Sequence, residues 1–174
     1  MIEAVYLDRD GTINRDVHYL STPEAFELLP GVGEGFRMMS DMKLPLFVVT
    51  NQSGVARGYF TESDLEAIHG RMISELDRFG VSFAGIYYCP HGPDDECTCR
   101  KPKPGMIEQA RRENGGLTGV MIGDSPRDVE CGRRAGQKTI LIGDKQTCET
   151  GIDYVAADLI AAAHWIARQN EVAL

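Results

Sequence analysis

Residues 4 to 14 read AVYLDRDGTIN, and the reading of this stretch decides the fold. Ala4, Val5, Tyr6 and Leu7 form a continuous apolar run with β-rich character. That is the pattern of a strand buried on both faces, as in a parallel sheet. Asp8 and Asp10 follow, then Gly11 and Thr12. Gly11 lets the chain turn through a backbone conformation that other residues resist. Asp8 and Asp10 are one residue apart on an extended chain, so with local bending both can reach one hard cation. Like charges this close are costly unless a metal or protons neutralise them. Alone, D-x-D reads as an acidic turn after a strand. Matching parts elsewhere in the chain displace that reading.

Composition limits the function classes. The 174 residues suit one domain over 1–174, long enough to bury a core without staples. A net charge of −8 argues against a nucleic-acid or membrane-surface partner. No apolar run is long enough for a membrane-spanning helix. The N-terminus opens on a strand without a signal pattern, so a cytoplasmic location and a monomer are expected. Five cysteines, three of them between residues 89 and 99, read as metal binding rather than a disulfide framework.

Strand-like and helix-like stretches alternate along the chain. A polar loop, residues 14 to 29, carries Arg15, Asp16, His18 and Tyr19. Pro30 and Gly31 introduce a helix with Val32, Phe36 and Met39 on one face. Leu46 to Val49 reads as the second strand, ending in Thr50, Asn51, Gln52, Ser53 and Gly54. Thr61 and Asp64 form a capping box for a long helix whose buried stripe is Leu65, Ile68, Met72, Leu76 and Phe79. Ile86 to Tyr88 is a short third strand, running into CPHGPDDECTCRKPKPG, which is too rich in Pro, Gly and Cys for regular structure. Ile107 to Asn114 is helical, and Val120 to Ile122 is a fourth strand ending in Gly123 and Asp124. Ser125, Pro126 and Asp128 start the next helix cleanly. Lys138 to Ile142 is a fifth strand and Asp153 to Val155 a sixth, before a C-terminal helix containing Trp165.

This alternation implies a doubly wound, largely parallel α/β sheet with helices on both faces. Ligands in such sheets bind beyond the carboxyl ends of the strands, where the polar clusters fall. Asp8 and Asp10 follow strand one, Thr50 and Asn51 strand two, Asp124 strand four, while Arg100 and Lys101 lie in the loop after strand three. Singly, these read as turns, caps or surface charges; together at one end of one sheet they read as a catalytic site. Phosphoryl transfer needs a nucleophile, an acid/base, and positive groups around three charged oxygens. Asp8 suits attack on phosphorus, Asp10 leaving-group protonation and then activation of water, and Asp8 with Asp124 a Mg²⁺ ion. Thr50 and Lys101 would steady the transferring group.

On these residues the chain resembles the haloacid dehalogenase superfamily of phosphatases. DRDGT is similar to its first motif, VVTN to its second, Lys101 to its third and GDSPRD to its fourth. The resemblance implies a Rossmann-like fold and a magnesium ion also bound by the Asp10 backbone carbonyl. It also implies that Asp128 belongs to the acidic fourth motif, supporting the metal ligands from behind.

Cys89, His91, Cys97 and Cys99 offer three thiolates and an imidazole, a set suited to a closed, structural Zn²⁺ site. The alternative is a loop of unrelated reduced cysteines. Zinc would stiffen the loop that carries Arg100 and Lys101. Cys131 and Cys148 read as buried or incidental, and His69 and His164 as helix-face residues with no ligand role. The chain is too short for a large cap, so residues 15–19, 53–60 and the zinc loop must wall the substrate. This capless pattern resembles the branch of the superfamily that hydrolyses a heptose bisphosphate or histidinol phosphate. By that resemblance Asp16, His18, Tyr19, Thr50, Asn51, Gln52, Ser53, Arg100 and Lys101 contact substrate. The match through TNQSGVARGYF favours the heptose bisphosphate, cleaved at its primary 7-phosphate. Ser125 stands where some of these heptose enzymes place a lysine. A nucleic-acid 3′-phosphatase would need a basic, aromatic-lined groove, against the acidic balance. A non-catalytic zinc module would not need both Asp8 and Asp10.

Overall fold

In the computed structural model, which describes residues 1–143 and 151–171, six parallel strands form one sheet. They are β1 (Ala4–Leu7), β2 (Leu46–Asn51), β3 (Gly85–Cys89), β4 (Gly119–Gly123), β5 (Lys138–Ile142) and β6 (Tyr154–Ala156). Their spatial order is β3-β2-β1-β4-β5-β6. The chain builds outward from β1 through β2 to β3, then returns to the other side of β1 with β4. Leu7 therefore pairs with Val48 on one side and with Ile122 on the other. That reversal opens a crevice beyond the ends of β1 and β4, the place where doubly wound sheets take their ligands.

Alternation along the strands divides the core between the two faces. Val5, Leu7, Val48, Val120, Ile122 and Ile140 face α1 (Val32–Asp41), α2 (Glu62–Asp77) and α5 (Leu159–Gln169). Ala4, Tyr6, Phe47, Val49 and Met121 face α3 (Gly105–Glu113) and α4 (Pro126–Arg134). Both faces of β1 are fully covered, which is why its apolar run does not alternate with polar residues. Among the described residues no helix is long and apolar enough to cross a membrane.

The caps follow the local sequence. Thr61 accepts from the Asp64 backbone N–H while Asp64 accepts from that of Thr61, closing the capping box of α2. Ser125 and Asp128 close a second box at α4, with Pro126 inside the first turn. Several boundaries differ from expectation. β2 continues through Thr50 and Asn51 because these pair with Tyr88 and Cys89 of β3. α3 begins two residues early, at Gly105, and Asn114 is its C-cap. β6 is shifted by one residue: Asp153 donates its backbone N–H to the Thr139 carbonyl, but the Thr139 N–H is taken by the Asp153 carboxylate and not by a strand carbonyl. Phe79 does not belong to the buried stripe: α2 ends at Asp77, and the ring, 38% exposed, lies over Gly33. Cys131 is buried and His164 exposed, whereas Cys148 lies outside the described residues.

Candidate active site

Beyond the ends of β1, β2 and β4 lies one cavity of about 390 Å³. Asp8, Asp10, Lys101, Asp124 and Asp128 form its acidic end, and Asp16, His18, Tyr19, Asn51, Ser53 and Arg100 line it too. The backbone turns away from β1 at Gly11, whose φ is +82°. A Cβ there would stand 2.0 Å from Asp124 Oδ2, so glycine admits both the turn and the neighbouring acid.

Lys101 organises the acidic end. Its ammonium is buried, 2.8 Å from Asp8 Oδ1 and 2.7 Å from Asp128 Oδ1. Burial works against its charge, but Asp128 and Asp8 more than offset that and hold its pKa above the ordinary lysine value. Asn51 fixes the Lys101 backbone at both ends: its amide N donates to the Lys101 carbonyl at 3.1 Å, and its amide O accepts from the Lys101 N–H at 2.9 Å. Asp128 joins the site to α4, accepting from the Ser125 backbone N–H and hydroxyl through its other oxygen. Burial pushes the Asp8 carboxyl up to about 7 against the pull of Lys101. Asp124 is pushed up to about 6, by burial first and the Asp128 charge second.

Carboxylate oxygens of Asp8, Asp124 and Asp128 all lie within 4.8 Å of one another. Such a hard, all-oxygen set fits Mg²⁺, whose octahedron at about 2.1 Å brings ligand oxygens to that range of separations. The Asp10 carboxylate is directed elsewhere. It accepts from Arg9 Nη2 at 3.0 and 2.8 Å, from Asn14 at 2.9 Å and from Gln52 at 2.8 Å. Asp10 thus lines the cavity but its carboxylate stands apart from the Asp8, Asp124 and Asp128 cluster, to which Asp128 is closer than expected.

Thr50 and Gln52, both expected at the substrate, are buried and do not line the cavity. Two residues apart at the end of β2, they lie on one side of the chain, and Gln52 donates to Thr50 Oγ1 at 2.9 Å and to Asp10. Tyr19 packs edge-on against His18 at 4.9 Å and Tyr59 at 4.8 Å, forming an aromatic wall. Arg57 and Arg127 also line the cavity: Arg57 lies in the 53–60 stretch expected to wall the substrate, whereas a single charge in a first helical turn gave no signal for Arg127. Arg9 is fully buried, and one of its nitrogens lies 3.3 Å from His69 Nε2. His69 does have a legible signal: it follows Leu65 by four residues and precedes Met72 by three, inside the buried stripe of α2. It is buried, not a free helix-face residue.

The four zinc-type ligands also converge. Cys89 Sγ lies 3.8 Å from Cys97 Sγ and 3.5 Å from His91 Nδ1, which is 3.3 Å from Cys99 Sγ. A tetrahedral ion with bonds of about 2.0–2.3 Å would set S···S near ~3.8 Å and S···N near ~3.5 Å. The Cys₃His set therefore fits a closed Zn²⁺ site. This loop is tied to the segment around Lys101: Arg100 donates to the His91 carbonyl at 3.1 Å, and Lys103 to the carbonyl of Cys97.

The comparisons with known proteins agree with this geometry. A HAD-hydrolase-like family model matches residues 98–163. A D-glycero-beta-D-manno-heptose-1,7-bisphosphate 7-phosphatase of Haemophilus ducreyi is 38% identical over 167 residues, covering 91% of this chain and 92% of that protein. The chain belongs to the heptose-bisphosphate phosphatase family of haloacid dehalogenase-like hydrolases. A Pseudomonas putida relative of the same name is 40% identical, covering 87% of this chain and 90% of its own. A Photorhabdus laumondii relative, 38% identical over 78% of this chain and 79% of its own, is named for the alpha anomer. The crystal structure of D,D-heptose 1,7-bisphosphate phosphatase from B. bronchiseptica, complexed with magnesium and phosphate, superposes with a TM-score of 0.86. It is 34% identical and covers 97% of this chain and 99% of its own.

His69 generates a pH prediction within this family site. Burial, then the Arg9 charge, lowers its pKa to about 4, so the neutral ring is the folded form. The unfolded chain binds the proton from about pH 6.5 downward. Stability from this group is therefore complete above that pH and lost as pH falls toward 4. Denaturant unfolding of wild type and His69→Gln should show their difference changing by about 2 kcal/mol between pH 7 and pH 5, to the detriment of wild type. A pH-independent difference would contradict a buried neutral His69.

Proposed function

We propose that this protein is a Mg²⁺-dependent phosphatase that removes the 7-phosphate of D-glycero-D-manno-heptose 1,7-bisphosphate, giving heptose 1-phosphate. That product would feed the synthesis of a nucleotide-activated heptose. The observation that carries the reading is that one cavity is lined both by the Lys101–carboxylate cluster and by three guanidinium groups. Those are Arg57, Arg100 and Arg127, none paired with a carboxylate among the described residues. One phosphoryl group can meet the nucleophile while a second anion meets guanidinium groups, whose planar donors match phosphate. The family's near-full-length similarity supports the same substrate class.

Asp8, Asp124 and Asp128 would hold Mg²⁺, with the Asp10 carbonyl as the family resemblance implies; the ion supplies charge neutralisation for the transferring group. An Asp8 oxygen attacks phosphorus, and the bond to the sugar O7 breaks with its electron pair passing to O7. Asp10 gives O7 a proton, then takes one from the water that attacks the aspartyl-phosphate, returning Asp8 and releasing phosphate. Lys101 holds Asp8 in place and offsets charge on the phosphoryl oxygens. Tyr19, which lines the cavity and is backed by Tyr59, offers an apolar wall to the carbon skeleton. Histidinol phosphate, with its cationic amine, would meet Arg100 unfavourably.

Steady-state assay should give a kcat/KM for the heptose bisphosphate at least about a hundredfold above that for histidinol phosphate, or roughly 2.7 kcal/mol. Arg100→Ala should shrink that preference more than it slows a simple monophosphate. Equal efficiency on both substrates would remove the heptose assignment and leave only the phosphatase chemistry.

The zinc loop is expected to carry about one tightly held Zn²⁺ per chain by elemental analysis. Cys97→Ser should lose it and lower activity through the Arg100-Lys101 segment, although Cys97 is remote from phosphorus. Full activity in a zinc-free Cys97→Ser protein would show that the loop holds its shape without metal.

A further inference from the structure

Arg9 and His69 take no part in the chemistry outlined above, yet both are buried beneath it. A guanidinium with no exposed surface needs all its donors satisfied. Its Nη2 lies 3.0 and 2.8 Å from the two oxygens of Asp10, and its Nε lies 3.3 Å from Asp10 Oδ1. Its Nη1 lies 3.3 Å from His69 Nε2. Since guanidinium nitrogens only donate, His69 Nε2 must accept, which requires the neutral ring with its proton on Nδ1. The groups around the ring are the Arg9 cation, Asp10 beyond it and the Tyr88 ring of β3, 6.0 Å away. Asp10, by contrast, is 24% exposed and faces the cavity. The arrangement is a chain of rigid groups running from the core to one catalytic carboxylate.

We infer that His69 and Arg9 are positioning residues: His69 anchors the far end of the Arg9 guanidinium, which fixes the rotation of Asp10 for proton transfer to the leaving oxygen. This rests on the acid/base role proposed for Asp10. Asp10 has two rotatable side-chain bonds, and a carboxylate turned away from O7 cannot deliver its proton as the P–O bond breaks. Asn14 and Gln52 hold one oxygen each, but a planar fork bridging both oxygens sets the plane of the carboxylate. The fork keeps that orientation only while its opposite edge has an acceptor. Without one, a buried N–H is left unpaired and the guanidinium shifts to find a partner. The depressed pKa of His69 accords with an accepting, uncharged ring.

The test separates positioning from general structural support by leaving group. An alkyl phosphate needs its leaving oxygen protonated, whereas p-nitrophenyl phosphate expels a stable phenolate without help. kcat/KM reports steps up to formation of the aspartyl-phosphate. His69→Phe fills the space but offers no acceptor. It should lower kcat/KM on the heptose bisphosphate about tenfold or more beyond any loss on p-nitrophenyl phosphate. His69→Gln, which keeps an acceptor, should recover most of that difference. If His69→Phe does not fold, Arg9→Lys, which cannot span Asp10 and His69 together, is measured on the same pair with the same expectation. Equal losses on both esters, or no loss on either, would overturn the inference. Wild-type turnover of both esters tests the phosphatase reading separately.

Discussion

The Lys101 ammonium, buried between Asp8 and Asp128, is the interaction on which the rest of the structure depends. Asp8, Asp124 and Asp128 bring three carboxylates to one place against a single lysine. Burial would drive such a group to take up protons, and it does push Asp8 and Asp124 upward. One internal cation keeps the cluster from flying apart, and a divalent ion would balance the two negative charges that remain. Every neighbouring element serves to hold that lysine. β2 grips its backbone through Asn51, α4 supplies Asp128 from its first turn, and the cysteine-rich loop delivers the chain two residues before it. Removing any one partner would leave a buried charge uncompensated, which is far more costly than losing a surface pair.

The fold was legible because its signals are local. An apolar run buried on both faces, two capping boxes and polar clusters after the strands each follow from a few adjacent residues. The strand order, by contrast, is set by tertiary pairing: parallel strands joined by helices are compatible with more than one order. That Asp8 and Lys101 meet, and that Cys89, His91, Cys97 and Cys99 converge, was legible for a similar reason: each residue type carries chemistry that few other roles demand. Boundaries failed where tertiary pairing overrode local pattern, as when β3 drew Thr50 and Asn51 into β2, or where Asp153 found a partner in Thr139.

The support beneath the site was harder to see. Arg9, between two aspartates, has no local pattern that marks it as buried, and only the third dimension shows it packed against α2. Gln52 reads as a substrate contact, but its place on the same side of β2 as Thr50 turns it toward Asp10. The convergence of Arg57, Arg100 and Arg127 belongs to no single stretch, since the three come from different loops and a helix start. His69 reads as a helix-face residue with no ligand role, although its spacing on α2 carries a signal that this reading leaves out: it falls among buried residues, where a polar side chain needs a partner.

The central claim is that Asp8 carries the phosphoryl group. Mixing the protein with heptose bisphosphate in the presence of Mg²⁺, quenching within a turnover, reducing with borohydride and sequencing peptides by mass spectrometry tests it directly. The account predicts reduction of an acyl phosphate at Asp8, converting that residue to homoserine, and its loss in Asp8→Asn. Full turnover with Asp8 unmodified at every time point, or modification at another carboxylate, would contradict it.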